Sequence, residues 1–256
     1  MTVGTAVVAE PYAGMEPISL EEMVDEAALL ARVDRKYVLP LGDVDVLLDG
    51  VPRETRVLEI DGVRDFGYRS VYLDTPDRQS FLTSGRGRRG RWKVRTREYL
   101  DTGTSWLEVK THGARGQTIK QRIEQTTDEL TAEGRAFVTG IVPTAIALEP
   151  VMVTTYRRST LLLPGSEARP ASRVTIDVDL GWAAIGTGRS LDRPRLAIVE
   201  TKTGATPSAA DRLLWSHGHR PVSISKFGVG MAALHPDLPR LKWHRVMNRF
   251  GVPRAA

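Results

Sequence analysis

Six short stretches of this chain place charges on alternate residues. In a β-strand successive side chains point to opposite faces, so each stretch read as a strand has one charged face. Arg32, Asp34 and Lys36 share the first, and Lys93, Arg95 and Arg97 the second. Glu108, Lys110 and His112 lie opposite Leu107 and Val109, and Lys120, Arg122 and Glu124 opposite Ile119 and Ile123. Asp177 and Asp179 oppose Val174, Ile176 and Val178, and Glu200 and Lys202 oppose Val199 and Thr201. An antiparallel sheet often wets one face, so any one strand alone reads as a solvated surface. Six together change the reading, because they hold Lys36, Lys93, Lys110, Lys120 and Lys202, five of the seven lysines. If helices cover the apolar faces and the sheet curls, the cations turn inward. Enclosed cations cost several kcal/mol each unless an anion or metal-bound carboxylates neutralise them. A phosphate contact returns about 1.5–3 kcal/mol, and a multiply charged polyphosphate suits such a wall best.

The elements that must position these residues follow from local patterns. "ISLEEMVDEAALLARV" reads as an amphipathic helix with capping-box spacing between Ser19 and Glu22 and an apolar stripe of Leu20, Met23, Val24, Ala27 and Leu30. "VDRKYVL" is a strand, and "LGDVDVLLDG" a short helix closed by Gly50. Strands are expected at 55–60, 68–74, 91–100, 105–112, 117–125, 151–163, 172–180 and 195–203, with short hairpin connections at 101–103 and 113–116. A turn is expected at Thr75-Pro76-Asp77. Helices are expected at 127–142, at "SAADRLLWSHG" with Gly218 as its C-cap, and at "SKFGVGMAALH" with Ser223 or Ser225 near its start. The expected class is α+β, with an antiparallel β-barrel and flanking helices. The expected layout is a flexible tail at 1–18, a single domain at 19–250 and a short tail at 251–256.

Composition bounds the function. A hydrophobic content of 41% with 26% charged residues is that of a globular soluble protein. With no cysteine, disulfides and thiolate metal sites are excluded. There is no apolar run of 18 residues and no basic-then-apolar leader, so the expected compartment is the cytoplasm. A net charge of +5 and a pI near 9.6 point to an anionic partner.

At this point the residues meet a family. The ordered series "RVDRKYVLP", "YRSVYLDTPD", "RWKVRTRE", "LEVKTHG…TIKQRI", "TTYRRSTL", "RVTIDVDL", "IVETKT" and "SISKFGVG" resembles the catalytic domain of the vacuolar transporter chaperone (VTC) polyphosphate polymerases, in the triphosphate tunnel metalloenzyme superfamily. The resemblance runs over about residues 20–250 and implies a basic tunnel that holds a triphosphate. It implies phosphate ligands at Lys36, Lys93, Arg95, Lys110, Lys120, Arg158, Lys202 and Lys226, with Arg122 on the same charged face as Lys120 and a hydroxyl from Ser225. Lys110, Glu200 and Lys226 are the implied catalytic residues. Glu200 is the implied ligand of Mn²⁺ or Mg²⁺, and oxygen ligands suit such hard ions. The implied reaction moves the γ-phosphate of ATP to the end of a growing polyphosphate, which asks for positioning and charge neutralisation more than for a covalent nucleophile.

Departures from the family pattern are informative. Eukaryotic members tend to have Arg where Lys93 stands and a further Lys where Ser223 stands. Tunnel hydrolases begin with E-x-E-x-K, whereas here the face reads Arg32, Asp34, Lys36, which favours one metal over two. The runner-up readings are a tunnel triphosphatase and a non-catalytic polyphosphate sensor or adaptor. Nucleic acid is not an expected partner, and any export of product requires a separate membrane partner. "GRGRRGR" at 85–91 reads as a solvated hairpin loop, His217 and His219 lack the company a zinc site needs, and Trp215 and Trp243 read as packing residues.

Overall fold

The computed structural model describes residues 12–28, 33–113, 118–145, 147–166 and 170–252. Leu30, Arg32, most of the 113–116 hairpin connection, residues 1–11 and residues 253–256 lie outside this set. The strands are β1 (Glu16–Ile18), β2 (Val33–Pro40), β3 (Arg56–Leu58), β4 (Phe66–Asp74), β5 (Trp92–Tyr99), β6 (Thr104–His112), β7 (Thr118–Glu124), β8 (Glu149–Leu163), β9 (Ser172–Ala184), β10 (Ser190–Arg193) and β11 (Leu196–Thr203). The helices are α1 (Leu20–Ala28), α2 (Gly42–Gly50), α3 (Gln79–Gly85), α4 (Ala132–Ile141), α5 (Ala209–Ser216), α6 (Lys226–Leu234) and α7 (His244–Arg249), with a 3-10 turn at Leu241–Trp243. The class is α+β, as expected. The main pairing path is β2-β11-β9-β8-β4-β5-β6-β7. Among the described residues this path has two ends and does not close on itself, so the sheet is mainly antiparallel and open where a barrel is expected. Among the described residues no helix is long and apolar enough to cross a membrane.

The chain divides into two compact units. The first comprises residues up to Asp65, Arg158–Asp177 and Ala197–Pro221. Its helices α2 and α5 approach closely because Gly50 has no side chain: a Cβ there would stand 2.5 Å from a methyl of Leu213. Gly50 thus ends α2 where space is short, and not by adopting a left-handed conformation. Met23 of α1 is buried, but Leu20 and Val24 are about half exposed, so the expected stripe is buried at only one of its described positions. The capping box itself is present: Glu22 N–H donates to Ser19 Oγ (3.2 Å) and Ser19 N–H to the Glu22 carboxylate (3.0 Å).

The second unit comprises Phe66–Arg157, Val178–Leu196 and residues from Val222 onward. Here α4 covers the apolar faces of β5 and β6. Trp92, Val94, Leu107 and Val109 form one core with Val138 and Val142, joined by Ile123 and Phe137. Burying each such side chain contributes about 1.5–3 kcal/mol, and that gain fixes which face of the strands turns away from α4. The "GRGRRGR" loop is shorter than expected, because Gly85 is the buried last residue of α3. Helix α6 lies against Trp243, which is fully buried: a Cβ on Gly228 would stand 2.1 Å from the indole.

Candidate functional site

Strand register in the second unit aligns nine side chains on the face that turns away from α4. Lys93 of β5 stands directly across from Lys110 of β6, which stands across from Lys120 of β7. The next row is Arg95, Glu108 and Arg122, and the third is Arg97, Trp106 and Glu124. Tight antiparallel pairing of β5, β6 and β7 produces this grid, and their alternation makes eight of its nine side chains charged, with Trp106 the exception.

Glu108 is the pivot of the middle row. Its side chain is only 3% exposed. It accepts from Arg95 Nε at 2.8 Å, Arg95 Nη2 stands in ion-pair contact with the same oxygen at 2.6 Å, it pairs with Lys120, and Arg97 Nε lies 3.9 Å away. Burial works to raise the Glu108 carboxyl, but Arg95, Arg97 and Lys120 together hold it well below the usual carboxylate range. Burial likewise lowers the Lys120 ammonium, with Glu108 opposing. Arg95 spends a further N–H on the Tyr72 hydroxyl (3.0 Å).

Helix α6 adds Ser225 and Lys226 in the same unit. Ser225 is its N-cap, accepting from Gly228 N–H (3.3 Å), which decides between the two serines considered from sequence. Lys93 Nζ donates to the Ser225 hydroxyl (2.8 Å), so two expected ligands are in direct contact. Lys226 Nζ lies 4.1 Å from the centre of the Tyr156 ring, and Tyr156 stacks on Tyr68 at 5.1 Å. Arg97 sits over Tyr68, and Arg122 over Trp106. Lys110 is exposed at the centre of the lysine row. Sequence reasoning missed Tyr72, Tyr68 and Tyr156 here. Their strand positions were legible, but their contact with cations depends on register and on α6.

The first unit holds a second constellation. Glu200 of β11 accepts from Lys36 Nζ of β2 (2.9 Å) and from Lys202 Nζ (2.5 Å). Burial tends to raise the Glu200 carboxyl, but Lys36 and Lys202 outweigh it and hold it far down. Burial brings the Lys202 ammonium down to about 8, with Glu200 opposing. Across β9 and β11, Glu200 faces Thr175 and Lys202 faces Arg173. Arg158 grips Asp177 through two parallel hydrogen bonds of 2.5 and 2.8 Å.

Behind this cluster lies Asp211, fully buried at the start of α5 and absent from the sequence-derived set. One carboxylate oxygen accepts from the hydroxyls of Tyr37 (2.7 Å) and Thr201 (2.6 Å). The other accepts from Ser208 N–H (2.8 Å) and Ser208 Oγ (2.9 Å), completing a capping box, and Arg35 Nη1 lies 3.5 Å from it. Tyr37 is the neighbour of Lys36 on β2, and Thr201 lies between Glu200 and Lys202 on β11. The Ser-x-x-Asp spacing at 208–211 signals the cap but not the two hydroxyls.

Among the described residues no three His, Asp or Glu side chains group so as to hold a metal. Glu200 offers one carboxylate with two ammoniums on it. Both of its oxygens are thus engaged, and a divalent ion at Glu200 would have to displace an ammonium and draw its further oxygens from elsewhere, as Mg²⁺ does where one or two carboxylates hold it together with substrate phosphates. His219 Nε2 pairs with Asp43 at 3.1 Å, and Trp215 donates to Tyr37, consistent with packing and ion-pair roles.

The VTC domain family matches residues 31–235 of the chain. No curated protein matches it significantly by sequence. Among solved structures, a candidate adenylate cyclase from Vibrio parahaemolyticus is similar at 15% identity, with 74% of this chain and 87% of that one covered and a TM-score of 0.39. A conserved hypothetical protein from Pyrococcus furiosus is similar at 14% identity over 73% and 88%, with a TM-score of 0.40. A candidate adenylyl cyclase from Hippeastrum, described as having a dominant triphosphatase activity, is similar at 15% identity over 78% and 95%, with a TM-score of 0.40. At TM-scores below 0.5 these likenesses carry no weight, and the domain match stands on its own.

Proposed function

This chain belongs to the VTC domain family, and on that premise we propose that it is a metal-dependent polyphosphate polymerase that uses ATP. The observation that carries this reading is the row Lys93, Lys110 and Lys120, set directly abreast on three paired strands. Like charges directly opposite destabilise a sheet. Such a row suits a polyanion, and a phosphate chain meets it with its closely spaced oxygens.

In this reading a terminal phosphate oxygen of the growing polymer attacks the γ-phosphorus of ATP, the bond from that phosphorus to the β-phosphate oxygen breaks, and ADP leaves. The proteins that run such transfers contribute positioning and electrostatic stabilisation. Lys93, Lys110 and Lys120 bind phosphate oxygens, with Lys93 held in place by Ser225. Lys226 lies over the Tyr156 ring and is a further proposed phosphate ligand. Arg95 and Arg122 are further proposed phosphate ligands in the second unit; in the first unit Lys36, Arg158 and Lys202 are proposed phosphate ligands, and Glu200 would hold the divalent ion. When bound, that ion supplies charge neutralisation on the phosphates. A polymerase that draws on ATP suits the cytoplasm, which is the compartment proposed for it.

The test is synthesis of long-chain polyphosphate from ATP by the pure chain with Mg²⁺ or Mn²⁺. Lys110→Ala and Glu200→Gln should each lower the rate by at least about a hundredfold, the size seen when a transition-state donor is removed. Orthophosphate release without polymer would replace this reading with a triphosphatase. Tight tripolyphosphate binding without turnover would replace it with a binding module.

A further inference from the structure

We propose that Glu108 is a built-in counter-anion that competes with the bound phosphate chain for Arg95, Arg97 and Lys120, and thereby sets how readily the chain is released. The inference rests on the phosphate-binding reading above and concerns a residue outside the set drawn from sequence. A carboxylate and a phosphate offer a cation the same chemistry, namely anionic oxygens that accept charge-assisted hydrogen bonds. Glu108 already takes the Nε–H donor of Arg95 and lies in ion-pair contact with its Nη2, and Tyr72 takes a further N–H. It also pairs with Lys120, a member of the lysine row.

Glu108 is too buried to swing into solvent when a phosphate arrives. Its charge therefore stays at the centre of the face, beside Lys110 on one strand and between Arg95 and Arg122 across strands. A face that must pass a polymer along cannot hold each phosphate too tightly. A fixed negative charge in its midst weakens every phosphate complex and so speeds departure. A purely structural ion pair needs no such central place: Arg69 and Asp128 make a bidentate pair at a more exposed position.

The test uses the full chain and inorganic tripolyphosphate as probe, with calorimetry in a salt series. Glu108→Gln keeps the shape and removes the charge. It should bind tripolyphosphate roughly tenfold tighter or more, the order expected for deleting a like charge several ångströms from a bound anion, and with a steeper salt dependence. Glu108→Asp, which keeps the charge, should bind within a few-fold of wild type. Because Glu108→Gln leaves cations unpaired, its free form should melt lower than wild type, and tripolyphosphate should raise its melting temperature by more than it raises that of wild type. Affinity equal to or weaker than wild type overturns the inference alone. A variant that stays unfolded in saturating tripolyphosphate also overturns it, because the added anion then cannot take the place of the carboxylate. A wild-type chain that binds no tripolyphosphate overturns the phosphate-binding reading, and this inference with it.

Discussion

Asp211→Asn is the most incisive perturbation of the first unit. It changes one atom, and the geometry fixes what that atom does. Tyr37 and Thr201 donate to one carboxylate oxygen, and the Ser208 backbone and hydroxyl donate to the other. An asparagine has one oxygen and one NH2; with the oxygen kept toward Ser208 N–H, the NH2 faces the Tyr37 and Thr201 hydroxyls, which can accept from it but no longer donate to a charged oxygen, so two charge-assisted hydrogen bonds are lost. Each hydrogen bond to a charged acceptor contributes about 1.5–3 kcal/mol, so losing two costs roughly 3–6 kcal/mol in a site with no access to water. For a chain of this size about 1 kcal/mol moves the melting temperature by 2–4 °C, and the expected fall is on the order of 10 °C. The functional consequence follows from the strands. Tyr37 and Thr201 lock the far faces of β2 and β11, which carry Lys36, Glu200 and Lys202 on the near faces. Folded Asp211→Asn protein should therefore bind tripolyphosphate several-fold more weakly than wild type, measured by calorimetry well below the variant's melting point. A melting temperature within about 2 °C of wild type would refute the energetic reasoning. A large fall with unchanged affinity would refute the claim that Asp211 positions the cluster.

Three further outcomes are expected. His112 lies below its ordinary value because burial, and then Arg91, Lys110, Lys242 and Lys93, disfavour the imidazolium; tripolyphosphate binding should raise its midpoint, read by NMR titration, and an unmoved midpoint would place the anion elsewhere. Gly228→Ala should lower stability by about 1–3 kcal/mol through overpacking against Trp243, despite the roughly 1 kcal/mol that alanine gains over glycine within a helix, and thermal denaturation reads the sign directly. The Glu108 carboxyl is depressed in the folded chain, so its ion pairs stabilise above the ordinary carboxylate range and are lost as pH falls through the lowered value; the stability gap between wild type and Glu108→Gln at pH 7 should narrow steadily in acid below about pH 4, and a gap independent of pH would contradict the assignment.

The charged faces were legible because a period of two is a local property, needing no knowledge of what lies across the sheet. Cap positions were legible for the same reason: Ser19 with Glu22, and Gly218 with its left-handed conformation, are settled by near neighbours. Helix α3 escaped because its capping group is displaced. Asp74, the last residue of β4, accepts from the N–H groups of Ser80 and Phe81 across the intervening turn, and Arg78 just before the helix takes a left-handed conformation. The strands β1 and β10 are too short for any periodicity to show. The grid itself was not readable. Which residue stands opposite Glu108 is decided by hairpin register, and the hydroxyl of Tyr37 reaches Asp211 across 174 positions of sequence. Long-range pairing of this kind is where local patterns stop.

The seating of α6 on Trp243 has a consequence for where this domain can be cut. The family match stops at residue 235, yet the indole under Gly228 lies eight positions beyond it. The same ring packs on Phe81 at 5.2 Å, and Phe250 sits edge-on to Trp182 at 5.6 Å. A fragment trimmed at the family boundary would keep Ser225 and Lys226 in its sequence but lose the floor beneath them. The stretch from Leu241 to Phe250 therefore acts as a keystone inserted from outside the arch, and expression boundaries, fusions and tags belong after it.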